Sequence, residues 1–389
     1  MNSEALFART SPLRLFILAS IPGAVSMLAS ALYQTLDGIF VGRFLGETAF
    51  AALNLAMPFV IINFSLADLI GVGAAVPISV CLGRQERQAA NNIFTCSCLM
   101  IVGTGVLMGG VLFAAAPWLI QLMGAQGEFA ALAVQYMRVY ALCSPVTTII
   151  FAVDNYLRIC GFIRGSMGLN ILMSGLSGLL EFLFLGVLGW GIWGAALATC
   201  SGMFLCAILA FLPFVRGKAL LRFCKPRFHW SMLRQIVACG SPNFLNNIAG
   251  RITSILMNGI LVRMGGELAV SVYGILMFAE GFVQPLLYGM CDSLQPAVGY
   301  NWGAGLFSRV RAIERYCFLA SGVLSLLAAL ISVSTALVFP VLLIGVLWPL
   351  GMTGIWMNFG GTALLAAGLS VTLLLRLRSE LRRPDEAGQ

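Results

Sequence analysis

The chain has 389 residues, of which 60% are hydrophobic and only 10% charged, and its mean hydropathy is +0.95. A soluble domain of this length has too little interior to hide that much apolar side chain, so the composition excludes a soluble enzyme or binding module and implies an integral membrane protein. The formal charge of +8 is read below as a topology signal and not as a footprint for nucleic acid. Runs of about 20 apolar residues, each sufficient to cross roughly 30 Å of hydrocarbon, predict helices at 15–42, 49–82, 93–116, 131–157, 167–188, 191–214, 235–262, 269–301, 316–340 and 353–375. The first run, from Leu15, is too long for a signal peptide and has no small-residue cleavage site, so it is expected to remain as a helix.

The basic residues orient these helices. With the N-terminus in the cytoplasm, Arg9, Arg14, Arg84, Arg87, Arg158, Arg164, Arg309, Arg311, Arg315, Arg376, Arg378, Arg382 and Arg383 fall inside, together with the basic connector at 215–234. Arg43 and Arg263 fall outside, and Arg138 and Arg251 fall within helices. This bias sets both termini in the cytoplasm and requires an even number of helices, hence ten.

Sliding the sequence on itself by 220 residues pairs Pro22 with Pro242, Arg43 with Arg263, Gly46 with Gly266, Glu47 with Glu267 and Gly83 with Gly303. Prolines and charges in register are rarely chance matches. The offset spans six helices, so the halves share one orientation, as in parallel repeats about an axis along the membrane normal. The expected architecture is therefore an all-α polytopic membrane protein of two parallel-repeat helical lobes: 1–214 with six helices, a connector at 215–234, and a second lobe with the basic tail at 235–389. Gly191-Ile192-Trp193 repeats as Gly354-Ile355-Trp356 at an offset shorter by two helices with their loops, so the second lobe is expected to hold four helices.

Ionisable residues in membrane helices are costly, which makes them functional candidates. Pro22, Ser26, Ser30, Tyr33 and Asp37 form one stripe on the first helix, and Asn170, Ser174, Ser177 and Glu181 form another on the fifth. Counting from the turns at Gly46 and Gly189, Asp37, Glu181 and Thr199 all lie about 12–15 Å below the outer face. Two carboxyls and a hydroxyl at one level suit a proton or sodium site, because a carboxyl buried near another holds a proton more readily than one in water. The alternative is that each acid only closes a buried hydrogen-bond network. Asp154, with Asn155 beside it, is either a substrate or relay group or the solvated end of helix four; Asp68 ranks below it. In the second lobe the repeat partner of Asp37 is Met257. Arg251 and Glu280, at equal depth on neighbouring helices, suggest a structural ion pair. Glu280, Gln284 and Tyr288 share a face that either borders a central cavity or packs within the lobe. The eleven cysteines sit singly, without metal or disulfide spacing, and read as small hydrophobes; His229 is the one histidine.

At these positions the chain resembles the multidrug and toxic compound extrusion (MATE) family. The carrying motifs are D-G-I-F-V-G-R-F-L-G (Asp37 to Gly46), L-R-I-C-G (Leu157 to Gly161), G-I-W-G-A-A-L-A-T (Gly191 to Thr199) and Q-P-A-V-G-Y-N-W-G-A (Gln295 to Ala304). The resemblance implies two six-helix lobes that exchange cationic drugs for protons or sodium by alternating access, with no other cofactor. It implies a first-lobe cation site at Asp37, Tyr33, Pro22, Thr199 and Glu181, the last standing where aspartate is usual. Asp154 or Asn155 matches a polar helix-four position, and Ser177 stands where asparagine is frequent. Against the family pattern, two helices of the second lobe are missing. The expectation is a monomeric multi-pass antiporter of the bacterial inner membrane, acting on small cationic organic molecules and binding no nucleic acid. The competing readings are a flippase for lipid-linked sugars, which needs a cavity rich in basic residues, and an inactive truncated remnant. An intramembrane enzyme is disfavoured by the lack of H-E-x-x-H or any metal cluster.

Overall fold

The computed structural model describes the backbone of residues 5–343, and the side chains of 6–250 and 281–326 except Phe282. Over that span the α-helices are α1 Pro12–Leu45, α2 Glu47–Gly83, α3 Arg87–Leu122, α4 Gly127–Ile159, α5 Ile163–Glu181, α6 Gly191–Val215, α7 Trp230–Asp292, α8 Gln295–Gly303 and α9 Phe307–Leu343. Every regular element among the described residues is helical, counting two π-helical turns at Ala5–Arg9 and Phe182–Val187. The tenth expected helix at 353–375 and the basic tail lie outside the described residues, as do the side chains of Arg251 and Glu280 and with them the expected ion pair.

Six of these elements are long and apolar enough to cross a membrane: α1, α2, α3, α4, α5 extended through its π-helical turn, and α6. Each contains one of the first six predicted segments or overlaps it closely, and most run a turn or more beyond the apolar stretch. In α3 the overhang has a visible cause. Asn91 and Asn92, ahead of the apolar run, accept hydrogen bonds from the Arg222 and Arg227 backbone N–H groups at 2.9 and 2.8 Å, and the Cys224 N–H donates to Thr95 Oγ1 at 3.1 Å. The extended basic connector is thereby laid along the start of α3. Gly46 alone separates α1 from α2, with φ +88° and ψ 178°, a backbone conformation essentially restricted to glycine.

The segments 235–262 and 269–301 were expected as two helices, and the first part of the difference is instructive. The helical assignment runs unbroken through α7, yet α7 is not a rod. Asn246 Nδ2 donates to Tyr288 Oη across 42 residues, which a straight helix would hold about 63 Å apart. The run doubles back on itself, and the sequence midpoint of that pair falls at Glu267, beside the predicted turn at Gly266. The second difference is a break after Asp292. Pro296 enters at the start of α8; it has no N–H and its ring opposes the carbonyl four residues back, which is that of Asp292.

Contacts between the α1–α6 bundle and α7–α8 are reciprocal under the 220-residue offset. A Cβ added to Gly83 would overlap the Tyr300 carbonyl oxygen, and one on Gly303 would overlap the Val80 carbonyl oxygen. Gly23 meets Gly289 and Ser293, while Gly240 meets Leu69 and Gly73 meets Ile236. The exchange is residue for residue between Gly83–Tyr300 and Gly303–Val80; in the other set, Leu69 and Gly73, the repeat partners of Gly289 and Ser293, touch Gly240 and Ile236, and Gly240 lies three residues before the partner of Gly23. Such exchange is the mark of surfaces related by a two-fold axis. All these contacts lie toward the membrane face where α1 begins and α2 and α4 end, called here the basic face.

Candidate ion-coupling site

The stripes predicted on α1 and α5 face one another inside the first bundle. Asp37 is 5% exposed and Glu181 is fully buried, and their carboxyl groups are close enough to influence each other. Asp37 Oδ1 and both Glu181 carboxyl oxygens are buried without a hydrogen-bond donor among the described residues. Two carboxylates can only accept. The pair is therefore unsatisfied until a proton or another cation comes between them, and leaving buried charges so close and uncompensated is expensive.

Hydroxyls complete the surroundings. Tyr33, one turn before Asp37, bonds through its Oη to Thr199 Oγ1 at 2.5 Å, and Thr199 Oγ1 also reaches the Ala195 carbonyl at 3.3 Å. From α4 come Tyr136 and Tyr140, with ring centroids 5.1 Å apart; the Tyr136 Oη is buried and has no hydrogen-bond partner among the described residues. Both tyrosines lie close enough to sense charge on Asp37. Sequence reasoning missed this pair, although two tyrosines at i and i+4 place two hydroxyls on one face of a membrane helix.

Local structure explains how Glu181 is presented. Its helix ends there, and the next residues form the π-helical turn Phe182–Val187, closed by the Leu188 N–H reaching the Leu183 carbonyl at 2.9 Å. Such widened turns gather at functional sites. Ser177, one turn earlier, is buried where α5 meets Gly202 of α6. Pro22 stands apart: it lies inside α1, about 22 Å along the helix from Asp37, where its carbonyl accepts from Ser26 Oγ at 2.8 Å.

Asp154 belongs to a second cluster. It pairs with Arg158 one turn on, and its Oδ1 accepts from Ser166 Oγ at 2.5 Å and from Asn170 Nδ2 at 3.0 Å. The idea of a solvated helix end does not hold, because Arg158, counted above among the residues of the basic face, is itself 2% exposed. Asn155 is buried next to it and Gln284 is exposed, while Tyr288 is engaged with Asn246. Near the opposite face, the Arg138 guanidinium lies 5.1 Å from the centre of the Phe113 ring, a cation–π contact.

Comparison with known proteins agrees with this architecture. The MatE family model matches residues 22–183. The multidrug export protein MepA of Staphylococcus aureus strain NCTC 8325 is 25% identical over 330 residues, covering 83% of this chain and 72% of MepA. MepA of Staphylococcus saprophyticus is 25% identical over 309 residues, 78% of this chain and 68% of its own length. Among solved structures, a MATE transporter in complex with MaD3S superposes with a TM-score of 0.79 at 25% identity, covering 84% of this chain and 73% of that one. A MOP-superfamily transporter from Pyrococcus furiosus gives a TM-score of 0.76 at 26% identity, with 84% and 72% covered. Since these likenesses extend well beyond the first bundle, the chain is a multi-span membrane transporter similar over most of its length to those of the MATE family.

Proposed function

We propose that the protein is a multidrug efflux antiporter of the inner membrane, exporting small lipophilic cations in exchange for protons or sodium ions. The observation that carries this reading is the facing pair Asp37 and Glu181, with three buried carboxyl oxygens lacking donors among the described residues. A group that must hold a cation while buried, and that sits within a bundle able to open, is a coupling device. The reciprocal contacts across the 220-residue offset support two lobes that rock against each other about a central axis. The charge bias of the loops supports a cytoplasmic basic face, and the relatives named as multidrug exporters support drugs as cargo.

A lipid-linked sugar flippase needs unpaired cationic groups for a pyrophosphate. Arg158 does not supply one, because two carboxylates already hold it. The test is drug resistance in cells expressing the Asp37→Asn variant. The antiporter reading expects resistance to fall to the level of cells without the gene while the amount of protein in the membrane stays the same. Undiminished resistance in that variant would remove Asp37 from coupling.

A further inference from the structure

The second polar cluster ties the α1–α6 bundle to α7. Arg158 is buried at the last turn of α4. One side of its guanidinium is held by its own bundle: Nη2 pairs with Asp154, and Nε donates at 3.0 Å to Ser166 Oγ, which donates in turn to Asp154. The other side reaches across. Nη1 lies 3.0 Å from Asp292 Oδ2 and 3.4 Å from Ser293 Oγ, at the end of α7. Asp68 of α2 and Tyr288 of α7 also lie near enough to Asp292 to feel its charge. The two carboxylates differ in kind, since Asp154 moves with Arg158 in any rearrangement of the bundles and Asp292 does not.

We propose that Asp292 is a further working residue of the transport cycle: its pairing with Arg158 latches the two lobes shut at the basic face, and the pair separates whenever the transporter opens there. This rests on the antiporter reading above. The surrounding contacts agree with a closed state at this face, because Gly83 against Tyr300 and Gly303 against Val80 leave no room for a methyl group. Separating a buried ion pair is usually prohibitive because it strands a charge. Here Arg158 keeps Asp154 and Ser166 when Asp292 leaves. Asp292, freed beside Asp68, is delivered to the water that enters through the new opening. Opening the latch thus breaks the charged hydrogen bond to Asp292 and the longer one to Ser293 and strands no charge, the property required of a gate that must work in both directions.

Hydrogen exchange of the full chain in lipid nanodiscs, read by mass spectrometry, tests this with two variants. Asp292→Asn breaks the cross-lobe pair and spares the one within α4. It is expected to raise exchange roughly tenfold, the worth of one charged hydrogen bond, at Tyr156–Ile163 and Leu294–Gly305, while exchange at the opposite membrane face falls. Asp154→Asn leaves Asp292 as the one carboxylate known to hold Arg158 among the described residues and is expected to slow exchange at the same peptides. A merely structural cluster predicts a rise in both variants, or a rise at both faces, and either result overturns the latch. Export by the unaltered protein is measured alongside. Opposite shifts without export would keep the latch and discard the antiporter; export without opposite shifts would do the reverse.

Discussion

Asp37 and Glu181 each have a buried oxygen with no donor among the described residues, and each is close enough to influence the other. Groups that bind one ion act as a unit, so neutralising either removes the whole function. Glu181→Gln is therefore expected to abolish export as completely as Asp37→Asn, and the double variant is expected to be no worse than either. Initial export rates of the three would show this; additive losses would mean that the two carboxyls serve different ions. Both acids were legible in the sequence, because helical spacing and distance from a turn fix face and depth without any knowledge of neighbours. Tyr136, Tyr140 and the burial of Arg158 were not recovered. An arginine at the end of an apolar run has the same local sequence whether it meets water or a partner helix, although Asp154 four residues earlier was a signal for pairing.

At the scale of elements, the turns hold the frame. Gly46 carries the whole reversal between α1 and α2 in one residue at φ +88°, and Asp37 sits nine residues before it. Gly46→Ala is expected to lower stability by about 1–3 kcal/mol, seen as a lower Tm in detergent. An unchanged Tm would mean that the turn relaxes without strain. The first six helices were readable because each is a long apolar run closed by a glycine or a charge. The region after 235 was harder. The hairpin at 235–301 shows itself through Asn246 and Tyr288 and not through a break in the helical run, and the real break comes after Asp292, where Pro296 interrupts an otherwise uniform apolar pattern.

Across the whole molecule, a repeat written in sequence reappears as exchanged contacts, with Gly83 and Gly303 at its centre. The charge bias predicts a direction for that body, with the basic connector expected inside the cell. Cys224, exposed in that connector, reports on it directly. A membrane-impermeant maleimide applied to intact cells is expected to leave Cys224 unlabelled, and to label it once the membrane is opened, with Cys224→Ser as the control; labelling of intact cells would invert the topology. The central claim is that a cation held between Asp37 and Glu181 drives export. The most direct test is uptake of a fluorescent organic cation into vesicles holding the purified protein, with proton and sodium gradients imposed separately. The account predicts that one of the gradients drives uptake in the unaltered protein and that neither does in Asp37→Asn. Uptake indifferent to both gradients, or equal in the two proteins, would contradict it.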